Sequence, residues 1–255
     1  MSTAAQSSLE SLGAPRPVAE AVGRLQEELM RAAGANFAGL ILYGGVARGR
    51  YHAGRSDIDE VVLLHDVSIA SLAAVAPALR AAWRAVRVEA MLLTPQEVAG
   101  VAAAFPTKFL DIRDHHVVLA GTDPFAGLQV PMEAVRLRIE QSLRNMVLRL
   151  RRRFLGIAKD EHGQEMALKG VARPLALELG ALLRLTGQPT PAEDRTSALF
   201  ADAARAFDLD GEALAHLARL RAGEKLGDLT NLYERVLQSI TRAADRVAQM
   251  KEPTP

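Results

Sequence analysis

Hydrophobic positions along this chain change their period near residue 130. Before that point short apolar runs alternate with amphipathic stretches, and after it nearly every apolar residue recurs at helical spacing. Val18, Val22, Leu25 and Leu29 fall on one helix face, so Pro17 to Ala33 is predicted as a helix that ends near Gly34, after a loose N-terminus. Phe37 to Tyr43 is a short apolar run that stops at Gly44-Gly45, as a buried strand does. Val46 to Tyr51 is predicted to open a helix whose N-terminus faces the glycines. A strand over Asp57 to Leu64, a helix over Ile69 to Ala82 and a strand over Val86 to Leu93 follow. Thr94-Pro95-Gln96-Glu97 has the residues of a helix start. His116 to Leu119 is a further strand, closed by Gly121-Thr122-Asp123-Pro124.

From Pro131 the pattern is helical throughout. Met132, Val135, Ile139, Leu143, Met146, Leu150 and Phe154 predict one helix of about six turns. Further helices are predicted around Glu165 to Leu185, Ser197 to Phe207, Glu212 to Arg221 and Leu229 to Met250. Pro174 kinks the first of these or marks its early turn. Gly187-Gln188-Pro189-Thr190-Pro191 is the clearest loop. The expectation is an α+β chain, with a small mixed-sheet domain over 1–129 and an all-helical domain over 130–255.

Composition narrows the function. At 255 residues, with 49% hydrophobic and 24% charged residues, the chain has the profile of a globular protein. A formal net charge of +1 makes no global case for nucleic acid, and 4% aromatic content leaves few platforms for stacked bases. The chain has no cysteine, which excludes disulfides and thiolate zinc sites and suits a reducing cytoplasm. Met1 to Pro17 lacks the apolar centre of a signal peptide, and no uninterrupted apolar run approaches bilayer length. A cytoplasmic protein with no membrane partner is expected.

Candidate chemistry concentrates in residues 42–64. Asp57 and Asp59 are two apart on a predicted strand, so they face the same side roughly 6.5–7 Å apart along the chain. Together they can chelate a hard cation such as Mg²⁺, which shares carboxylate ligands with substrate phosphates. Gly44 and Gly45 leave bare backbone that polyphosphate can approach. Glu89 is the only acid on the strand Val86 to Leu93, and a charge there is costly unless paired or metal-bound. Glu60, beside Asp59, points by strand alternation to the opposite face, where it needs a basic partner or an exit to solvent. A bulge at Glu60 would disturb the carboxylate geometry.

Gly44-Gly45, eleven intervening residues and then Asp57-Ile58-Asp59 resemble the signature of the DNA polymerase beta-like nucleotidyltransferase superfamily. Ala47-Arg48-Gly49 and Ser56 resemble its bacterial small-molecule, aminoglycoside nucleotidyltransferase-like branch. The resemblance covers roughly residues 37 to 93. It implies a nucleotidyltransferase-type mixed sheet with flanking helices, a glycine turn for the triphosphate of ATP, and two Mg²⁺ ions held by Asp57, Asp59 and Glu89. Glu89 is metal ligand or base for the acceptor hydroxyl. Arg48 either contacts phosphate or ties the turn to an acid, and Ser56 assists at the phosphates. A triphosphate-binding lysine from the helical half is implied as well, for which Lys169, four residues before Arg173, is the candidate.

The activity implied is transfer of a nucleoside monophosphate, AMP from ATP, to a hydroxyl of a small molecule, with loss of pyrophosphate. AMP transfer to a partner protein and a non-catalytic nucleotide sensor are the alternatives. A polycationic acceptor favours an acidic cleft, for which Glu161, Glu165, Glu178 and Glu193 are available. Arg50 and Arg55 read as solvated loop residues. The run Arg149-Leu150-Arg151-Arg152-Arg153 reads as the solvated side of one helix, because Leu150 lies on the apolar stripe. His115-His116 reads as one exposed and one packed histidine rather than a metal pair.

Overall fold

The computed structural model describes residues 4–53, 56–189 and 196–250. The chain divides into two compact units, Met1–Val130 and Pro131–Pro255.

The first unit is built on four strands, β1 (Phe37–Tyr43), β2 (Ile58–Leu64), β3 (Val88–Leu93) and β4 (His116–Gly121), in the order β3-β2-β1-β4. β1 runs antiparallel to both β2 and β4, while β2 and β3 are parallel. Strand alternation places Leu40, Leu42, Ile58, Val62 and Leu64 on one face, in a common core with α2 (Arg16–Ala33) and α4 (Ile69–Val86). α2 buries the predicted stripe of Val18, Val22, Leu25 and Leu29 and stops at Gly34. α4 starts at Ser68, whose hydroxyl accepts from the Ser71 N–H, and ends at Arg87 in the left-handed region. By length and composition alone it is long and apolar enough to cross a membrane, though its apolar run is interrupted by Ser71, Arg80 and Arg84. It also contains Pro77, and it packs against α2 and β3.

Several elements differ from the sequence expectations. The N-terminal segment forms α1 (Ala4–Ser11), which buries Ala5 and Leu9 against α2 and β4. The predicted helix over Val46 to Tyr51 is a single turn, α3 (Gly44–Ala47), that begins at the glycines. It cannot continue, because Gly49 takes a φ of +70° and the Arg50 N–H returns to the Gly45 carbonyl at 2.9 Å. β3 begins two residues later than expected, since Val86 still belongs to α4. α5 (Glu97–Ala104) starts from reciprocal bonds: Glu97 N–H to Thr94 Oγ1 at 3.2 Å, and Thr94 N–H to Glu97 Oε2 at 2.8 Å. α6 (Pro106–Asp114), which the periodicity did not announce, opens with proline and buries Phe109, Leu110 and Ile112.

The second unit is helical: α7 (Met132–Ile157), α8 (Glu161–Leu185), α9 (Thr196–Phe207), α10 (Gly211–Arg221) and α11 (Leu229–Gln249). Val135, Ile139, Leu143, Val147 and Leu150 form the buried stripe of α7. Side chains of Asp160, Asp210 and Asp228 cap α8, α10 and α11 by accepting backbone N–H bonds. Pro174 lies inside α8, which runs on past it. The Tyr233 hydroxyl donates to the Leu150 carbonyl at 2.8 Å, tying α11 to α7. Part of the predicted loop, Thr190 and Pro191, lies outside the described residues.

Candidate active site

Three residues from three strands stand in one row at the end of the sheet. Tyr43 of β1 pairs with Asp59 of β2, and Asp59 pairs with Glu89 of β3. The row lies on the face opposite α2 and α4, because Ile58 and Val88, one residue earlier on their strands, belong to the helix-side core. The registers between β2 and its neighbours run unbroken through Asp59 and Glu60, so no bulge displaces the carboxylate.

The glycine turn closes over this row. Gly44 has a φ of +74°, and a Cβ built on it would stand 2.5 Å from Asp59 Oδ2. The bare Cα is therefore what admits the carboxylate. Gly45 is less constrained, its nearest approach being 3.5 Å to the Arg50 carbonyl. As the first N–H groups of a helical turn, those of Gly44, Gly45 and Val46 lack intrahelical partners. Ser56 closes the loop that follows, its hydroxyl accepting from the His52 N–H at 2.9 Å. Arg55 lies outside the described residues.

Charge is crowded here. Burial raises the Asp59 carboxyl above its ordinary range; the negative charges of Glu89 and Asp57 push it the same way, and Lys108 opposes them. Burial likewise raises the Tyr43 hydroxyl, reinforced by Asp59 and Glu89. Lys108, on α6, sits over the Tyr43 ring with its Nζ 5.3 Å from the centroid. It forms no ion pair among the described residues. Sequence reading passed over this lysine, because α6 itself lacked a clear periodic signal.

Asp57 sits just before β2, and Arg87 Nε donates to its Oδ1 at 2.6 Å. Arg87 is the left-handed cap of α4, with its guanidinium 5.8 Å from the Trp83 ring centroid. Among the described residues no three acidic, histidine or cysteine side chains form a ready metal cluster. Asp57, Asp59 and Glu89 are electrostatic neighbours, close enough for the first and last to act on the charge of the second. Their oxygen-only donor set fits a hard cation, which would relieve the repulsion that Glu89 and Asp57 exert on Asp59.

Arg48 is ion-paired with Asp111 of α6, its side chain only 13% exposed. It ties the turn to a helix instead of standing open beside phosphate. Lys169 of α8 is ion-paired with Glu165 one turn earlier. Glu60 finds neither the basic partner nor the exit expected for it. It is fully buried, neither carboxylate oxygen has a hydrogen-bond partner among the described residues, and burial pushes its carboxyl up to about 8. Protonation is the remaining way to hold it in an apolar core. His116 packs edge-on against Phe125 and pairs with Asp123 at 3.1 Å, while His115 is the more exposed of the two histidines. Glu193 lies outside the described residues.

A four-stranded mixed sheet with flanking helices, followed by a helical C-terminal region, defines a nucleotidyltransferase-type α+β fold. Among solved structures the chain is similar to spectinomycin adenyltransferase AAD(9) from Enterococcus faecialis, crystallised with ATP and spectinomycin. The TM-score is 0.53 at 14% identity, over 90% of this chain and 99% of that one, a likeness of fold. No family model and no curated protein matches the sequence.

Proposed function

We propose that this chain is a Mg²⁺-dependent nucleotidyltransferase that moves AMP from ATP onto a hydroxyl of a small-molecule acceptor. The acceptor oxygen bonds to the α-phosphorus, the α–β bridging P–O bond breaks, and pyrophosphate leaves. The observation that carries this reading is the row Tyr43–Asp59–Glu89 with Gly44 pressed against the central carboxylate. The fold neighbour crystallised with ATP and spectinomycin supports a nucleotide and a small acceptor as the two substrates.

In this reading Asp57, Asp59 and Glu89 would hold the metal, Asp57 being the ligand that Arg87 engages without it. When bound, Mg²⁺ neutralises the triphosphate and polarises the transferring phosphoryl group. Glu89, exposed on the outermost strand, is placed to accept the proton of an incoming hydroxyl. Gly44, Gly45 and Ser56 border the triphosphate, and Arg48 fixes the turn that presents them. Lys108 supplies the cation for the phosphates from within residues 1–129, the catalytic domain, and is preferred to Lys169, whose ammonium is already held by Glu165. Residues 130–255 form the helical domain of the proposed transferase.

Pyrophosphate release from ATP and Mg²⁺ tests the proposal directly, measured against a panel of aminoglycosides, small polyols and protein fractions. Stimulation by a small hydroxyl compound is the expected result; stimulation by protein fractions alone would overturn the small-molecule acceptor.

A further inference from the structure

A groove of about 550 Å³ runs between α7 and α8, wholly inside the helical unit. That volume lies within the range of small-molecule sites. Arg138, Arg149 and Arg153 line it from α7, and none of them is ion-paired among the described residues. Leu150, Val171 and Leu177 supply its apolar surface. Leu177 is 53% exposed.

Gly170 of α8 lines the groove, and a Cβ there would meet nothing within 4 Å. Pro174, one turn later, has no N–H to give the Gly170 carbonyl, so an acceptor is left without its helical donor beside the groove. Among the described residues Glu178 is the one acid in the lining; it accepts from Ser142 Oγ at 2.6 Å, burial raises its carboxyl and Arg138 opposes that shift, so one acid faces three arginines.

We infer that this groove binds a small organic anion with an apolar body, gripped at its carboxylate, sulfonate or phosphate end by Arg149 and Arg153. Guanidinium groups suit such oxyanions, and three of them leave a polycation no favourable place. The helical run that contains these arginines is therefore divided in role. Arg149 and Arg153, four apart, face the groove, whereas Arg151 and Arg152 do not line it. The groove belongs to the helical unit alone, and its binding of an anion does not depend on the proposed transferase reading.

The test uses the full chain and three probes followed by calorimetry without nucleotide: naphthalene-2-sulfonate, the cation 2-naphthylmethylamine, and inorganic sulfate. The sulfonate is expected to bind at one site about tenfold or more tighter than either comparator. Arg149→Gln and Arg153→Gln should each weaken it about tenfold, and Arg151→Gln should leave it unchanged. Equal binding of the cation, or equal loss in Arg151→Gln, would overturn the site.

Discussion

Gly44 and Asp59 are fitted to one another: a single added carbon on the glycine would stand 2.5 Å from the carboxylate Oδ2. The glycine also holds a φ of +74°, which side chains with a Cβ rarely adopt. Gly44→Ala should therefore destabilise the chain by about 1–2 kcal/mol from backbone strain alone, and should move Asp59. Gly45→Ala, with ordinary contacts, should change stability by less than about 0.5 kcal/mol. Urea denaturation of the two variants checks this, and equal losses would contradict the fit.

Glu60 makes stability depend on pH. Its folded value, about 8, lies above the ordinary 4.5, so its contribution is fully present below pH 4.5 and is lost as pH rises through about 8. Across that window the loss amounts to about 1.4 kcal/mol per pH unit at most. Glu60→Gln, which cannot ionise, should remove this slope. The difference between the two unfolding free energies should thus grow from pH 5 to pH 8 in favour of the variant. Parallel curves would show that Glu60 finds a partner in solution.

Lys108 and Lys169 offer competing sources of positive charge for a triphosphate. Lys108→Met should weaken ATP binding about tenfold, as expected for one charge-assisted phosphate contact, and Lys169→Met should weaken it less. Calorimetry with ATP and Mg²⁺ decides between them. The reverse order would return the role to the helical unit.

Glu89 has a proton-accepting role besides its place among the metal-holding acids, so Glu89→Gln should lower kcat by about 10²–10⁴-fold, a larger effect than on ATP affinity. A loss confined to ATP affinity, with kcat kept, would remove the proton-accepting role.

The parts of this protein that announced themselves in sequence are those governed by local rules. The stripes of α2 and α7 recur at helical spacing, and Thr94 and Glu97 form the reciprocal cap their spacing foretold. Asp59 and its neighbouring glycine were visible because strand period and glycine backbone freedom are both local. What stayed hidden depends on partners distant in sequence. α1 and α6 are short, and their helical state comes from burying Leu9, Phe109 and Ile112 against other elements. Lys108 enters the site only because α6 brings it over Tyr43. Arg48 could be read either way until Asp111, sixty-three residues on, appeared beside it. For the same reason the arginine run looked uniform, since only the packing of α7 on α8 separates Arg149 and Arg153 from Arg151 and Arg152.

The central claim is that Asp57, Asp59 and Glu89 act on a nucleotide through a divalent cation. Calorimetric titration of ATP into the full chain, with and without Mg²⁺, and into Asp59→Asn, tests it most directly. The account predicts binding that requires Mg²⁺ and is lost in Asp59→Asn, with the variant's unfolding midpoint no lower than that of the parent chain. ATP binding that is equally tight without metal, or unchanged in Asp59→Asn, would contradict it.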